Sequence, residues 1–463
     1  MRVYNYTALL GLVLLFLNCE TSTPSPELAP EIGEEFSAGR GTTMLLTSDA
    51  FGQQIDNLTS EEGLLFFVGN SFFKQNWVTA PASTTARDGL GPFFNAQSCS
   101  SCHLKDGRGR PPEYKGELSH GLLLRLSVPG SDENGNPLAD ANYGGQLQDQ
   151  SISGVMTEGG FEILYTEISG SYPDGQTYSL RKPLYNMFDL SFGELSENIL
   201  VSPRIAQQMI GLGYFEAIDE STILSNADAD DADGDGISGR PNYVWNVKTQ
   251  STSLGLFGWK SNQPTIEQQV AGAFLGDIGI TSYLFPEENC VQDCDETPNG
   301  GSPEIDNDDL AKTVLYTQTL AVPMRRDWDN QDVLKGKNSF IEIGCNKCHI
   351  EKFETGTHPS ISALSNETIR PYTDLLLHDM GDELADNRPD FLANGNEWRT
   401  QPLWGIGLIP TVNNHTFLLH DGRARNIEEA ILWHGGEAEE IKDSFKSLDL
   451  VDRENIIRFI ESL

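Results

Sequence analysis

The stretch FNAQSCSSCH, residues 94–103, is the segment from which the rest of this chain can be interpreted. It places two cysteines three positions apart and follows the second directly with a histidine. The segment GCNKCH, residues 344–349, repeats the arrangement in the C-terminal part of the chain. Because the chain has only seven cysteines and eight histidines, chance does not account for two such strings. The repetition indicates one chemical purpose served twice.

Two cysteines at this spacing can each form a thioether to a vinyl group of one porphyrin, and the adjacent histidine can ligate its iron. The sequence therefore predicts two covalently bound haem c groups, held by Cys99, Cys102 and His103 and by Cys345, Cys348 and His349. Zinc is the alternative ligand of paired cysteines. A zinc site of this kind needs no histidine directly after each pair and usually sets the two pairs far closer in sequence, which favours haem.

The N-terminus predicts export. Arg2 precedes an apolar run over residues 8–17, which is too short to span a bilayer and is typical of a signal peptide, here residues 1–18. Cys19 stands where a lipoprotein signal would be cut and the cysteine acylated, which gives a stable membrane anchor. An ordinary secretory signal with an incidental cysteine is the alternative. Residues 19–45, which begin with a tract rich in Pro, Glu, Ser and Thr, are expected to form a flexible tether to an extracytoplasmic protein.

The composition of the chain limits which kinds of molecule it can bind. Across 463 residues the formal net charge is -37, and a phosphate backbone would be repelled, so nucleic acid is excluded as a ligand. The charge favours either a basic protein partner or adaptation to a salty medium. Outside the four motif cysteines and Cys19, the polar loop NCVQDCDETPNGG holds Cys290 and Cys294, which an oxidising compartment would join in a local disulfide.

The pattern of elements predicts a mainly α fold with two unequal cytochrome c-like haem domains, residues 46–319 and 320–463. In the second domain, the helix QDVLKGKNSFIEIG carries Gly336, whose missing side chain would let another helix approach closely. The partner is the final segment DRENIIRFIESL, with Asp452 as its expected N-cap and with apolar residues at helical spacing, namely Ile456, Ile460 and Leu463.

The first domain is expected to be larger, because strand-like segments follow its motif. The helix EEGLLFFVGNSFFKQNW would precede that motif. Segments 121–128, 161–168 and 176–185 with Gly/Asp/Asn-rich connections then predict β-hairpin and loop insertions.

The ligand on the far side of each iron decides the chemistry, because a filled position favours electron transfer and an open one favours binding of a small oxidant. For the second haem, the sequence offers Met380 and His434 as alternatives. His434 ends a short helix capped by Asn426 and shares its apolar face, so it would point inward. For the first haem, Glu113, Arg108, Arg110 and His120 follow the motif closely and are candidates for acid–base or propionate contacts. Glu113 is the candidate acid–base group, with a solvated charged loop as the alternative.

The acidic segment DADADDADGDGISGRPN predicts a calcium loop. Asp231, Asp233 and Asp235 stand at alternate positions before Gly236, which is how such loops present carboxylate oxygens to the ion. Asn242 occupies the twelfth position instead of Glu, so a full EF-hand is not expected, and a solvated loop is the alternative. Trp245, close by, is a candidate electron relay or a core residue.

Five segments together resemble the bacterial di-haem oxidoreductase family, which is akin to the di-haem cytochrome c peroxidases and the methylamine-utilisation di-haem maturase. They are FFNAQSCSSCH, DGDGISGRPN, FGWKSNQPTIEQQVAGAFLGDIGITS, PYTDLLLHDMGDELAD and FLLHDGRARNIEEAILWHGG. The resemblance covers residues 45–463. It implies that the second haem takes its far ligand fourteen residues after the histidine of an HDG motif, which counted from His420 is His434, where relatives have Met or Tyr. It also implies that the far side of the first haem is open or opens on activation, and that related enzymes carry calcium between their haems.

These features predict an exported di-haem c oxidoreductase that reduces hydrogen peroxide at the N-terminal haem. Electrons would come from a small basic cytochrome or cupredoxin and pass through the C-terminal haem. The alternatives are an electron-transfer cytochrome without peroxide turnover, and a di-haem oxidase of a partner protein or small molecule.

Overall fold

The computed structural model describes residues 1, 28–118, 121–292, 294 and 297–463. The predicted signal peptide, Cys19 and His120 lie outside the described residues. Within those ranges, no helix combines the length and apolar character that crossing a bilayer requires.

The helices that the structure describes lie mainly before and after a β-rich middle. In chain order they are α1 (Ser60–Lys74), α2 (Cys99–Cys102), α3 (Glu220–Leu224), α4 (Ile266–Ala273), α5 (Asn307–Gln318), α6 (Gln331–Glu342), α7 (Ile409–Asn413), α8 (Ile427–Trp433), α9 (Glu439–Ser447) and α10 (Leu450–Ser462). A π-helical turn, Phe274–Ile278, extends α4.

The strands form small separate sheets. In chain order they are β1 (Thr42–Thr43), β2 (Phe93–Phe94), β3 (Leu122–Ser131), β4 (Pro137–Leu138), β5 (Gln150–Ser151), β6 (Gly160–Ser171), β7 (Thr177–Phe188), β8 (Leu200–Ile205), β9 (Tyr243–Asn246), β10 (Ser251–Leu254), β11 (Val322–Pro323), β12 (Phe353–Glu354), β13 (Thr368–Ile369), β14 (Leu377–Asp379) and β15 (Glu397–Arg399). Strands β4, β3 and β8 form an antiparallel sheet, and β6 and β7 form a long hairpin. The other described pairs are β1–β11, β2–β5, β9–β10, β12–β13 and β14–β15.

The prediction of a mainly α fold is wrong, because the structure is 28% helical and 19% strand. The strands predicted over 121–128, 161–168 and 176–185 are present as β3, β6 and β7. The error came from the remaining strands, most of which are only two to four residues long. Alternation of apolar and polar residues over four or more positions is the usual signal of a strand, and pairs this short do not show it.

Two helix pairs hold the two cysteine motifs, and each pair depends on a glycine at the crossing. In α6, a Cβ on Gly336 would overlap the carbonyl oxygen of Asn455 in α10, so the close approach predicted at Gly336 is confirmed. In α1, a Cβ on Gly69 would overlap the carbonyl oxygen of Lys312 in α5. The two halves therefore use the same packing device.

The C-terminal helix is confirmed, with one correction at its start. The apolar residues that were expected to face inward are buried, namely Ile456, Ile460 and Leu463. The N-cap is Asp449 instead of Asp452, since the Asp449 carboxylate accepts the backbone N–H of Asp452. Helix α8 is capped by Asn426, as expected. Cys290 and Cys294 form the predicted disulfide.

From residue 28 onward, the segment that was predicted as a tether packs on the C-terminal half. Glu34 is 1% exposed and pairs with Arg325, while Lys337 Nζ lies 2.6 Å from Glu34 Oε1. Strand β1 then pairs in parallel with β11.

Candidate functional site

One cavity of about 600 Å³ reaches both cysteine motifs. Its wall includes the predicted attachment and ligand residues of both sites, namely Cys99, Cys102, His103, Cys345, Cys348, His349, Met380 and His434. Most of the accessible surface of the wall is apolar, as is usual for a cofactor site, and many polar side chains also line it.

The four motif cysteines are unpaired thiols in this cavity. Burial raises the pKa of the Cys99 and Cys345 thiols to about 12 and also raises the pKa of Cys102 and Cys348. Neutral sulfur is what a thioether requires, whereas zinc binds thiolate. Within the described part of the chain, the only three or more His, Cys, Asp or Glu ligand atoms within 4.8 Å of one another belong to an acidic surface loop. The cysteines therefore do not converge on a common metal.

The two motif histidines are oriented in the same way. His103 Nδ1 lies 2.6 Å from the carbonyl oxygen of Gln207, and His349 Nδ1 lies 3.0 Å from that of Tyr372. A carbonyl only accepts, so Nδ1 carries the hydrogen and Nε2 keeps its lone pair for iron. Burial lowers the pKa of His103, and it lowers the pKa of His349 to about 4. Both rings are thus neutral, as ligation needs.

His434 shows the same arrangement. Its Nδ1 lies 2.6 Å from the carbonyl oxygen of Ala430, one helical turn earlier in α8, and burial lowers its pKa. The charge of a protonated His434 would lower the pKa of His349, so the two rings lie close enough to interact. Met380 also lines the cavity, next to β14, and its thioether remains the alternative.

A network of buried amides joins two carboxyl groups in the wall near the first motif. Asn95 donates to Asp149 Oδ1 at 3.1 Å, and Gln146 donates to both Asn95 Oδ1 at 2.5 Å and Asp277 Oδ1 at 3.0 Å. Burial raises the pKa of Asp149 to about 6. Both carboxylates contribute to the raised pKa of Cys102, after burial. A group that can hold a proton near neutral pH therefore lies beside the first motif.

The backbone places Asp277 in this network through the π-helical turn that extends α4. Such turns are frequent at functional sites, because the extra residue reorients a side chain. The carbonyl oxygen of Asp277 also accepts the N–H groups of Asn95 and Ala96, just before the first motif.

Glu113, the acid–base candidate from the sequence, lies outside this cavity. Its side chain is 67% exposed, with Oε1 3.6 Å from an Arg110 guanidinium nitrogen. Arg108, from the same loop, turns inward and lines the cavity. Trp245 is also absent from the wall, which instead contains Trp259 and Trp398.

These two tryptophans enclose a histidine. The His420 ring stacks on Trp398 with centroids 3.9 Å apart, and it meets Trp259 edge-on at 6.4 Å. All three rings line the cavity. The sequence contained no periodic signal for this group, because its members come from three separate loops and strands.

The acidic loop groups Asp228, Asp231 and Asp233, whose carboxylate oxygens lie within 4.8 Å of one another. Asp228 was not among the predicted ligands. Asp235, which was predicted as a ligand, instead places Oδ2 2.9 Å from Nζ of Lys347, one of the two residues between the cysteines of the second motif.

A cavity lined by two Cys–Cys–His sets, with neutral histidines aimed into it, defines a class of protein that carries two haem groups. A family model described as "Di-haem oxidoreductase, putative peroxidase" matches residues 33–463. The chain belongs to this family of oxidoreductases, and the resemblance predicted from the sequence is confirmed. A comparison with curated proteins finds no match.

Proposed function

We propose that this protein is an exported di-haem c oxidoreductase that reduces hydrogen peroxide. The supporting observation is the single cavity that reaches both cysteine motifs and carries the carboxyl network at the first of them. Cys99, Cys102 and His103 would hold the haem at which peroxide is reduced. The second haem, held by Cys345, Cys348 and His349, would be the point of electron entry.

Bound haem would supply an iron that accepts electrons and delivers them to an oxidant. The chain's own part is to hold ligands and protons. Reduction of peroxide to water consumes two electrons and two protons for each molecule. Asp277 and Asp149, joined through Gln146 and Asn95, would deliver protons beside the first motif. Asp149 suits this role because its pKa, raised by burial to about 6, lies near neutral pH.

At the second haem, His349 and His434 would be the protein ligands of the iron, with Met380 as the alternative to His434. Two imidazole ligands would favour electron transfer, because they would leave no ligand position free for a small oxidant. The aromatic group Trp259–His420–Trp398 lines the same cavity and is the candidate path for electrons between the two sites.

We propose an extracytoplasmic location, with the chain anchored to a membrane surface through a lipid on Cys19. The net charge of -37 suits a basic electron donor such as a small cytochrome or cupredoxin. Membrane fractionation of the wild type and of Cys19→Ala tests the anchor. We expect the wild type in the membrane fraction and the variant in the soluble fraction.

We also propose that calcium binds the acidic loop through Asp228, Asp231 and Asp233. The backbone amides of this loop already fold around those carboxylates, since Asp228 Oδ1 accepts the Ala232 N–H at 2.9 Å. Calcium titration by calorimetry tests this site. Binding should be lost in Asp231→Asn, and equal binding by the variant would contradict it.

Peroxide turnover by the purified holoprotein tests the function. We expect activity after reductive activation, and Asp277→Asn should lower kcat/KM for peroxide by about 100-fold or more. Glu113→Gln is the matched control, because Glu113 is exposed and lies outside the cavity. Ferric haems that are both six-coordinate and low-spin, with no peroxide turnover, would instead indicate an electron-transfer cytochrome. Consumption of a partner protein or small molecule in place of peroxide would indicate an oxidase.

A further inference from the structure

Two arginines in the cavity wall are buried without a carboxylate partner. Arg399 is 4% exposed and Arg108 is 6% exposed. Arg399 donates Nε to the carbonyl oxygen of Gly258 at 2.9 Å and Nη2 to Gln401 Oε1 at 2.7 Å. Its Nη1 is buried and has no hydrogen-bond partner. Arg108 donates Nε to the carbonyl oxygen of Phe417 at 2.9 Å and Nη2 to that of Leu419. Both guanidinium groups thus contact neutral acceptors only.

The other arginines that are less than about a tenth exposed in the described part of the chain each pair with a carboxylate. Arg204 lies 2.5 Å from Asp390, Arg423 lies 2.9 Å from Asp421, and Arg453 lies 2.6 Å from Asp174. The chain has 68 acidic residues against 31 basic ones, so a carboxylate would be easy to supply. Two unneutralised cations in the wall of one cavity indicate that the counter-charge comes from a ligand.

The carboxylates that act on these arginines at longer range are engaged elsewhere. Burial lowers the pKa of Arg399, and the negative charge of Asp374 acts in the opposite direction. The Asp374 carboxylate is itself bound to another residue, since its Oδ2 lies 2.7 Å from His378 Nε2. Burial likewise lowers the pKa of Arg108, and the negative charge of Asp421 opposes that shift. The Asp421 carboxylate pairs with Arg423 and accepts a hydrogen bond from the Tyr185 hydroxyl at 2.9 Å. Neither can turn toward the cavity without leaving another buried charge unpaired.

We infer that Arg399 and Arg108 bind the carboxylate side chains of the tetrapyrroles held in this cavity. Each haem carries two propionates, and a guanidinium is the group that matches a carboxylate in geometry and charge. The inference rests on the haem content that the proposed function assigns. It goes further by naming the residues that neutralise the cofactor's acidic edge.

Arg399 lies between the two sites. On one side, Gln401 Oε1 accepts from both Arg399 and the Gln207 side chain, and the Gln207 carbonyl orients His103. On the other side, Arg399 in β15 pairs with β14, where His378 Nδ1 lies 3.6 Å from Cys348 Sγ. Arg399 is therefore linked through neighbouring residues to both Cys–Cys–His sets.

The same guanidinium groups could bind a free anion, such as chloride or phosphate. A haem propionate and a free anion would both accept hydrogen bonds from these guanidinium groups, but an experiment can distinguish them. A covalently bound cofactor keeps its propionates through dialysis, whereas a free anion follows its own concentration in the buffer.

The test uses purified holoprotein of the wild type, Arg399→Gln, Arg399→Lys and Arg108→Gln. Arg453→Gln is the matched control, because Arg453 is also buried but pairs with Asp174 outside the cavity. For each protein we measure the haem content by pyridine haemochrome, the reduction potential by spectroelectrochemistry, and the propionate bands in resonance Raman spectra.

A nearby cation stabilises reduced over oxidised haem, so loss of the cation should lower the reduction potential of that haem. We expect this fall and a shifted propionate band in Arg399→Gln or Arg108→Gln, with the potential largely restored in Arg399→Lys.

Loss of haem from either glutamine variant at the cavity, with full retention in Arg453→Gln, also supports the inference. A full haem complement with unchanged potential and Raman bands overturns it. If the wild-type spectra change with the chloride or phosphate concentration, and Arg399→Gln abolishes that change, the inference is overturned in favour of a free anion. Absence of covalent haem from the wild type would instead refute the proposed function on which the inference depends.

Discussion

At the scale of single residues, the histidine at the end of α8 determines how the second site would behave. The His434 ring is neutral because burial lowers its pKa, and the hydrogen bond from Nδ1 to the Ala430 carbonyl leaves Nε2 free as a ligand atom. A histidine at the position where the family resemblance implies Met or Tyr leaves a ligand available. It should lower the reduction potential, since imidazole donates more strongly to ferric iron than a thioether does.

We expect His434→Met to raise the reduction potential of one haem, and His434→Ala to remove its low-spin ferric signal. Electron paramagnetic resonance and a redox titration of the purified protein measure both effects. Met380→Leu is the comparison variant, because Met380 lines the same cavity and is the alternative ligand. An unchanged spectrum in His434→Ala together with a changed one in Met380→Leu would assign the ligand to Met380.

Glu158 makes stability depend on pH. Its side chain is 3% exposed, Oε2 accepts the Gln148 N–H at 2.7 Å, and burial raises its pKa from 4.5 to about 8. The folded state therefore binds the proton more tightly than the unfolded state does. The free energy of unfolding should fall as pH rises from about 4.5 to about 8.

Glu158→Gln keeps an oxygen acceptor for Gln148 and cannot ionise, so we expect it to lose this part of the pH dependence. Chemical denaturation at several pH values between 4.5 and 8 compares the two proteins. The variant should gain stability relative to the wild type as pH rises. A constant difference across the range would contradict the assignment to Glu158.

Site residues could be predicted from the sequence only where the residues of one group lie close together along the chain. Cys99, Cys102 and His103 were recognisable because thioether attachment fixes their spacing. Asp149, Asp277 and Arg399 were not, since each enters the cavity from a different element and only the fold brings them together. Glu113 illustrates the converse, because proximity in sequence to the motif did not place it in the cavity.

At the scale of elements, α1–α5 and α6–α10 use one packing solution. A glycine in the middle of the first helix lets the backbone of the second approach, and an aromatic residue four positions later packs near the motif histidine. Phe73 lies 6.2 Å from His103, and Phe340 lies 6.2 Å from His349. The sequence allowed Gly336 to be predicted because its partner helix was visible at the end of the chain. Gly69 was missed because α5 was not recognised.

We expect Gly69→Ala to destabilise the protein by about 1–3 kcal/mol, because the added methyl would overlap the Lys312 carbonyl in α5. Gly63→Ala, in the same helix, is the matched control. A Cβ at Gly63 would meet its nearest neighbour, Gln54 Oε1, at 3.6 Å, which is ordinary contact. That variant should be neutral or slightly more stable, since alanine favours helix. Equal stability of both variants in thermal unfolding would contradict the close crossing.

At the scale of the whole molecule, charge opposes the compact state. A net charge of -37 on one chain produces strong self-repulsion, which salt screens. We expect Tm to rise when ionic strength increases from about 0.01 M to about 0.1 M, over which the Debye length falls from about 30 Å to about 10 Å. Calorimetry measures it, and the effect should disappear near the isoelectric point. A Tm independent of salt at neutral pH would show that the charges are already neutralised, for example by bound cations.

The central claim is that two porphyrins are joined to this chain through sulfur. The direct measurement is the intact mass of the exported protein after acid–acetone extraction, beside a Cys99→Ala/Cys102→Ala variant. We expect the mass of the processed polypeptide with its lipid plus two haem groups for the wild type, and one haem group less for the variant. A wild-type mass equal to the processed polypeptide with its lipid and no haem would contradict the account.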